Sequence, residues 1–102
     1  MDVVDLRSDT VTRPTAEMRE AMFAAPLGDD VLGDDPTAQR LEALTADLTG
    51  KDAALWLPSG TMANQVALGS HTRPGDAILA DAEAHILYYE VGAPAALWGL
   101  MT

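Results

Sequence analysis

The sequence predicts an α/β fold: a parallel-rich sheet with crossover helices on its faces. Two observations carry that expectation. Residues 53–57 (AALWL) and 77–81 (AILAD) are continuous apolar runs of strand length, the pattern of strands buried on both faces. The segments before, between and after them follow a helical period, giving the order helix, strand, helix, strand, helix.

Residues 1–13 read as an extended arm, VVDL followed by polar residues up to Thr12, Arg13 and Pro14. Pro14 suits the first position of a helix, with Glu17 in its first turn. Met18, Ala21, Met22 and Ala25 recur at helical spacing and predict one buried face, and Pro26 and Gly28 end the helix. An acidic loop, GDDVLGDDPT, follows. Asp34 or Asp35 can cap a second helix that has Pro36 at its first position. Leu41, Leu44 and Leu48 predict its buried stripe, and Gly50 stands where a C-terminal cap is expected.

After the first apolar run, TMANQVALGS reads as a helix and Arg73–Asp76 (RPGD) as a turn. After the second run, AEAHILYYEVGA reads as a loop entering a helix whose end Gly92 and Pro94 obscure. Two strands alone would leave unpaired edges, and LWGLMT offers no closing element. The expectation is therefore the N-terminal part of something larger, with a compact 102-residue domain as the alternative.

Composition narrows the function. The chain is 48% hydrophobic, which argues against disorder, and it has no cysteine for a disulfide or a Cys-based zinc site. Sixteen acids against six bases give a net charge of −10, a surface that repels nucleic-acid phosphates. The acidic N-terminus does not read as a signal peptide, and no apolar stretch reaches bilayer length. A soluble cytoplasmic protein is expected. Lys51 is the only lysine.

Ser59, Gly60 and Thr61 sit where a predicted strand turns into a predicted helix. The first N–H groups of a helix have no internal partners, and its dipole favours an anion there. Gly60 lets the anion approach and the two hydroxyls add donors, so phosphate is a natural guest; simple helix capping is the other reading. This is not a P-loop, because the glycine spacing and lysine are missing.

His85 follows the second run by four residues, on the same carboxyl-end rim where open parallel sheets bind ligands. An imidazole there could stack on a planar ring or move a proton; an exposed or capping histidine is the alternative. His71, near a helix end, is assigned no role. Arg7, Ser8 and Thr10 offer a cation and hydroxyl donors on the arm. The acidic loop lacks the spacing of a calcium loop and reads as a solvated turn plus a helix cap, so no metal is expected.

The blocks DLRSDTVTRPTAEMREAM, GDDVLGDDPT, LWLPSGTMANQVAL, HTRPGD and EAHILYYEVGAPAAL, in this order, resemble the N-terminal part of low-specificity L-threonine aldolases along nearly the whole chain. The resemblance implies a pyridoxal 5'-phosphate (PLP) enzyme of the aspartate-aminotransferase type, fold type I. Residues 1–102 would then be the N-terminal arm and the first part of the PLP-binding large domain. It implies cleavage of L-threonine and L-allo-threonine to glycine and acetaldehyde by a homotetramer with active sites at subunit interfaces.

By the same resemblance Gly60 and Thr61 would bind the cofactor phosphate. His85 would stack on the pyridine ring and take the β-hydroxyl proton, Ser8 would help hold the substrate carboxylate, and Tyr89 would lie near the active site. The acidic loop would border a neighbouring subunit's site, where the family often has Tyr in place of Leu32. The family's Schiff-base lysine, ring-nitrogen aspartate and carboxylate arginine fall beyond residue 102. Lys51, at the wrong end of a predicted strand, is not that lysine, so the 102-residue chain alone is expected to be inactive. The alternatives are a non-catalytic fragment or assembly partner, or part of another fold type I PLP enzyme such as a β-eliminating lyase.

Overall fold

The structure, a computed structural model, describes residues 3–102. Met1 and Asp2, the start of the expected arm, lie outside the described residues. The chain forms two compact units, Met1–Ala54 and Leu55–Thr102.

The first unit begins with a short 3-10 turn, Asp9–Val11, and continues into helices α1 (Ala16–Ala24) and α2 (Pro36–Thr49). α1 starts later than Pro14, because the hydroxyl of Thr15 accepts from the Met18 N–H and makes Thr15 the cap. It stops at Ala25, whose extended backbone precedes Pro26. The expected buried face of α1 is not buried: no residue of the helix is, and Met18 and Met22 are exposed. α1 and α2 flank an open groove lined by Ala21, Ala24, Pro26, Arg40, Leu41 and Leu44.

Between the helices, Asp29 Oδ1 accepts from the N–H groups of Val31 and Leu32, and Asp34 Oδ1 from that of Asp29. A Cβ at Gly28 would collide with the backbone of Asp34 and Asp35, so the loop closes only over glycine. Asp35 caps α2, accepting from Thr37 N at 2.9 Å and Ala38 N at 3.1 Å, with Pro36 in the first turn. Gly50 ends the helix at φ 64°, and Lys51 N–H returns to Ala46 O at 3.0 Å. The expected leucine stripe is not buried either. Leu41, Leu44 and Leu48 are exposed and the buried residue of α2 is Ala46, because the groove between α1 and the leucine side of α2 stays open.

The second unit holds α3 (Gly60–His71), α4 (His85–Tyr88) and α5 (Ala93–Trp98), with α3 packed on both of the others. α3 meets α5 at Gly69, where a Cβ would come within 2.5 Å of the Trp98 indole. Pro94 and Leu100 complete the small apolar core. The predicted turn forms, with Asp76 N–H donating to Arg73 O at 3.0 Å. The segment read as one loop and helix after residue 82 divides into α4 and α5, because Val91 and Gly92 adopt φ of 49° and 77° and reverse the chain.

The parallel sheet is the main correction. Neither 53–57 nor 77–81 is a strand among the described residues. The second run contributes one parallel bridge, Ala77 to Met101, flanked by Ile78 N to Met101 O at 2.8 Å and Met101 N to Asp76 O at 2.9 Å. Met101 lies in the terminal segment where no pairing element was expected. A buried parallel strand needs partners on both edges and cover on both faces. Among the described residues no β-bridge joins 53–57 to another segment, the unit boundary falls inside that run at Ala54, and Leu79 is fully exposed. No helix among the described residues is long and apolar enough to cross a membrane.

Candidate functional site

In the second unit the Ser59-Gly60-Thr61 stretch opens α3. Ser59 is the N-cap, its Oγ accepting from Met62 N–H at 3.1 Å. Its hydroxyl therefore holds the helix, as the capping reading expected. Gly60 and Thr61 occupy the first two helical positions, where N–H groups lack a carbonyl one turn back. No acidic residue stands in the first turn, both residues are exposed, and the space beside Gly60 is open to 4 Å. The donor set of two N–H groups and the Thr61 hydroxyl, at the positive end of a three-turn helix, fits a phosphate group.

His85 opens α4 with its side chain 56% exposed. One edge of its ring is held: Nδ1 lies 2.8 Å from Oε1 of Glu90. Tyr89 lies beside the ring, centroids 5.1 Å apart and planes 33° from parallel, and Tyr88 meets Tyr89 edge-on at 4.9 Å.

Glu90, which the sequence did not single out, is the most connected side chain of this unit. It is completely buried and accepts from Asn64 Nδ2 at 2.7 Å and from Gln65 Nε2, both on α3. Burial pushes its carboxyl upward, but the hydrogen bonds from Asn64, Gln65 and His85 outweigh that and bring it below the usual carboxylate range. A signal was present: Asn64-Gln65 is a polar pair inside an apolar helix, and Glu90 is a lone acid between YY and VG. A buried amide pair needs a partner that no periodicity names.

Ser8 belongs to the first unit, where it caps the 3-10 turn. Its Oγ accepts from Thr10 N–H at 3.2 Å and lies 2.8 Å from Thr10 Oγ1. Arg7 is paired with Asp5 at 2.6 Å. Asp29 and Asp34 are taken up by the loop's turns and Asp35 by a helix cap, and among the described residues no cluster of His, Asp and Glu is arranged to hold a metal.

Comparison with known proteins supplies the class. A family model described as beta-eliminating lyase matches residues 5–102, and the chain belongs to that family. Among curated relatives, the low specificity L-threonine aldolase of Escherichia coli (strain K12) is 54% identical over 95 residues, 93% of this chain and 28% of that protein. Low-specificity L-threonine aldolase 1 of Arabidopsis thaliana is 53% identical over 102 residues, covering 98% of this chain and 28% of its own length. The Saccharomyces cerevisiae low specificity L-threonine aldolase is 47% identical over 94 residues, 91% of this chain and 24% of that protein. The chain thus spans about a quarter of the length of the relatives it matches.

Proposed function

We propose that residues 1–102 form the N-terminal arm and the first part of the PLP-binding domain of a fold type I threonine aldolase, which cleaves L-threonine or L-allo-threonine to glycine and acetaldehyde. The observation that carries the reading is identity near 50% along almost the whole chain to proteins named as such aldolases. The geometry supports it independently, since an anion-ready helix start and a half-exposed imidazole belong to one packed unit.

In this reading Gly60 and Thr61 hold the cofactor phosphate through N–H and hydroxyl donors, and His85 lies against the pyridine ring. Tyr89 packs beside the His85 ring and limits its movement. Ser8 contributes to holding the substrate carboxylate. Bound PLP supplies the electron sink for breaking the Cα–Cβ bond. The protein's part is to anchor the phosphate, fix the imidazole and accept the β-hydroxyl proton on it. Lys51 follows the C-terminal cap of α2 in the first unit and has no place in this assignment. Assembly as a homotetramer in the cytoplasm belongs to the same proposal.

The test is a substrate panel on the natural protein that carries this chain. Expected are acetaldehyde and glycine from L-threonine or L-allo-threonine, with His85→Asn lowering turnover by about 10²-fold or more. Release of ammonia and a keto acid from the panel, with no aldehyde, would instead establish a β-eliminating lyase. The 102-residue chain assayed alone should give neither product nor a borohydride-sensitive cofactor band.

A further inference from the structure

We propose that Glu90 is the positioning residue of this site: its buried carboxylate holds His85 as the Nδ1–H tautomer and ties that ring to the opening turns of α3, leaving Nε2 as the proton-accepting nitrogen. The inference rests on the reading of His85 as the residue that receives the β-hydroxyl proton.

Three donors from two helices converge on one carboxylate. Asn64 Nδ2 and His85 Nδ1 share Oε1, at 2.7 and 2.8 Å, while Gln65 Nε2 takes Oε2. An ionised carboxylate only accepts, so the proton in the His85–Glu90 bond sits on Nδ1. A neutral imidazole carries one ring proton, so the free lone pair is then on Nε2. That nitrogen has no hydrogen-bond partner among the described residues. A carboxylate buried only for packing would need no half-exposed ring among its partners. Here the buried oxygen reaches out to hold the inner edge of a ring whose other edge is left for ligand.

The same oxygen sets the position of the ring. Asn64 lies four residues after Gly60, about one helical turn from the proposed phosphate cradle. Through Oε1 the distance from cradle to imidazole is fixed by two short bonds rather than by the loop between them. The backbone after Glu90 bears a cost in keeping this arrangement. Val91, a β-branched residue, is held at φ 49°, which persists only where surrounding contacts over-determine it. When a hydroxyl proton moves to Nε2, the Nδ1–H bond to Glu90 remains, the carboxylate stays ionised, and its charge stabilises the imidazolium.

The experiment reads the tautomer directly, by nitrogen-15 NMR of the histidine-labelled natural protein without cofactor, with His85→Asn used to assign the signal. With the ring neutral, the wild type should show a protonated Nδ1 and a bare Nε2. Glu90→Ala should move the ring toward a mixture of tautomers. In the PLP-loaded protein the same substitution should lower kcat about 10²-fold with KM changed only a few-fold. A wild-type ring protonated at Nε2, or a tautomer unaltered in Glu90→Ala, would overturn the proposal; if Glu90→Ala does not fold, the wild-type spectrum decides alone. An intact tautomer in a protein that cleaves no threonine would sink the aldolase reading and leave the positioning role of Glu90 standing.

Discussion

In residues 3–54 the side chains that cap the helices and close the turns bond to nearby sequence. Thr15 and Asp35 cap their own helices, Asp29 and Asp34 close their own loop, and Thr37 reaches Pro26, eleven residues back. In residues 55–102 Glu90 gathers partners 25 and 26 residues away, and Trp98 packs against Gly69. The first unit is a string of local solutions, each able to form or fail by itself. The second has a small core whose polar centre requires α3, α4 and the turn that carries Glu90 at once, which is the condition for cooperative behaviour.

That contrast can be broken by experiment, and both tryptophans lie in the second unit, so their fluorescence follows it. The largest effect is expected from Glu90→Ala, which leaves buried amide donors without an acceptor. The loss should be about 3 kcal/mol, read as a lower urea midpoint. The pH dependence has the matching sign. Glu90 is lowered in the folded state from 4.5, so its contribution is present above that pH and fades as acid titrates the folded carboxyl below it. Glu90→Ala should flatten that acid limb, and an unchanged limb would mean the carboxylate does not hold the unit together.

Gly69→Ala comes next. The added methyl meets the Trp98 indole and should cost about 1–2 kcal/mol, even though alanine favours a helix by about 1 kcal/mol over glycine. A stabilised variant would show that α3 and α5 do not pack this closely. The smallest effect is Asp35→Ala, which removes the cap of α2 at about 1 kcal/mol. It should speed amide exchange in α2 and leave the tryptophan midpoint where it was, since the cap holds a helix of the first unit and the tryptophans report on the second. A shift of that midpoint would tie the two units energetically.

The same division explains what could be read from the residues. The start of α2 at Asp34 or Asp35, its stop at Gly50 and the turn Arg73–Asp76 were legible because capping and turn chemistry is decided within a few residues. Thr15 displaced Pro14 as the start of α1 because a hydroxyl acceptor satisfies an N–H that proline does not. Strands were misread at 53–57 and 77–81 because apolar continuity reports a preference for burial, while a strand exists only when paired. The leucine stripe of α2 failed for the same reason. At the site, the resemblance pointed to Gly60, Thr61 and His85, whereas Glu90 stayed hidden because its partners are remote in sequence.

The bridge from Ala77 to Met101 has a practical corollary. Just past it, fully solvated Leu79 marks the start of an adhesive seam, open to any extended backbone that drifts alongside. Mutual repulsion between molecules carrying ten excess negative charges opposes such pairing. Acidifying the solution discharges that barrier, and salt shortens its range to roughly 10 Å at 0.1 M, so light scattering from this polypeptide is expected to rise with either.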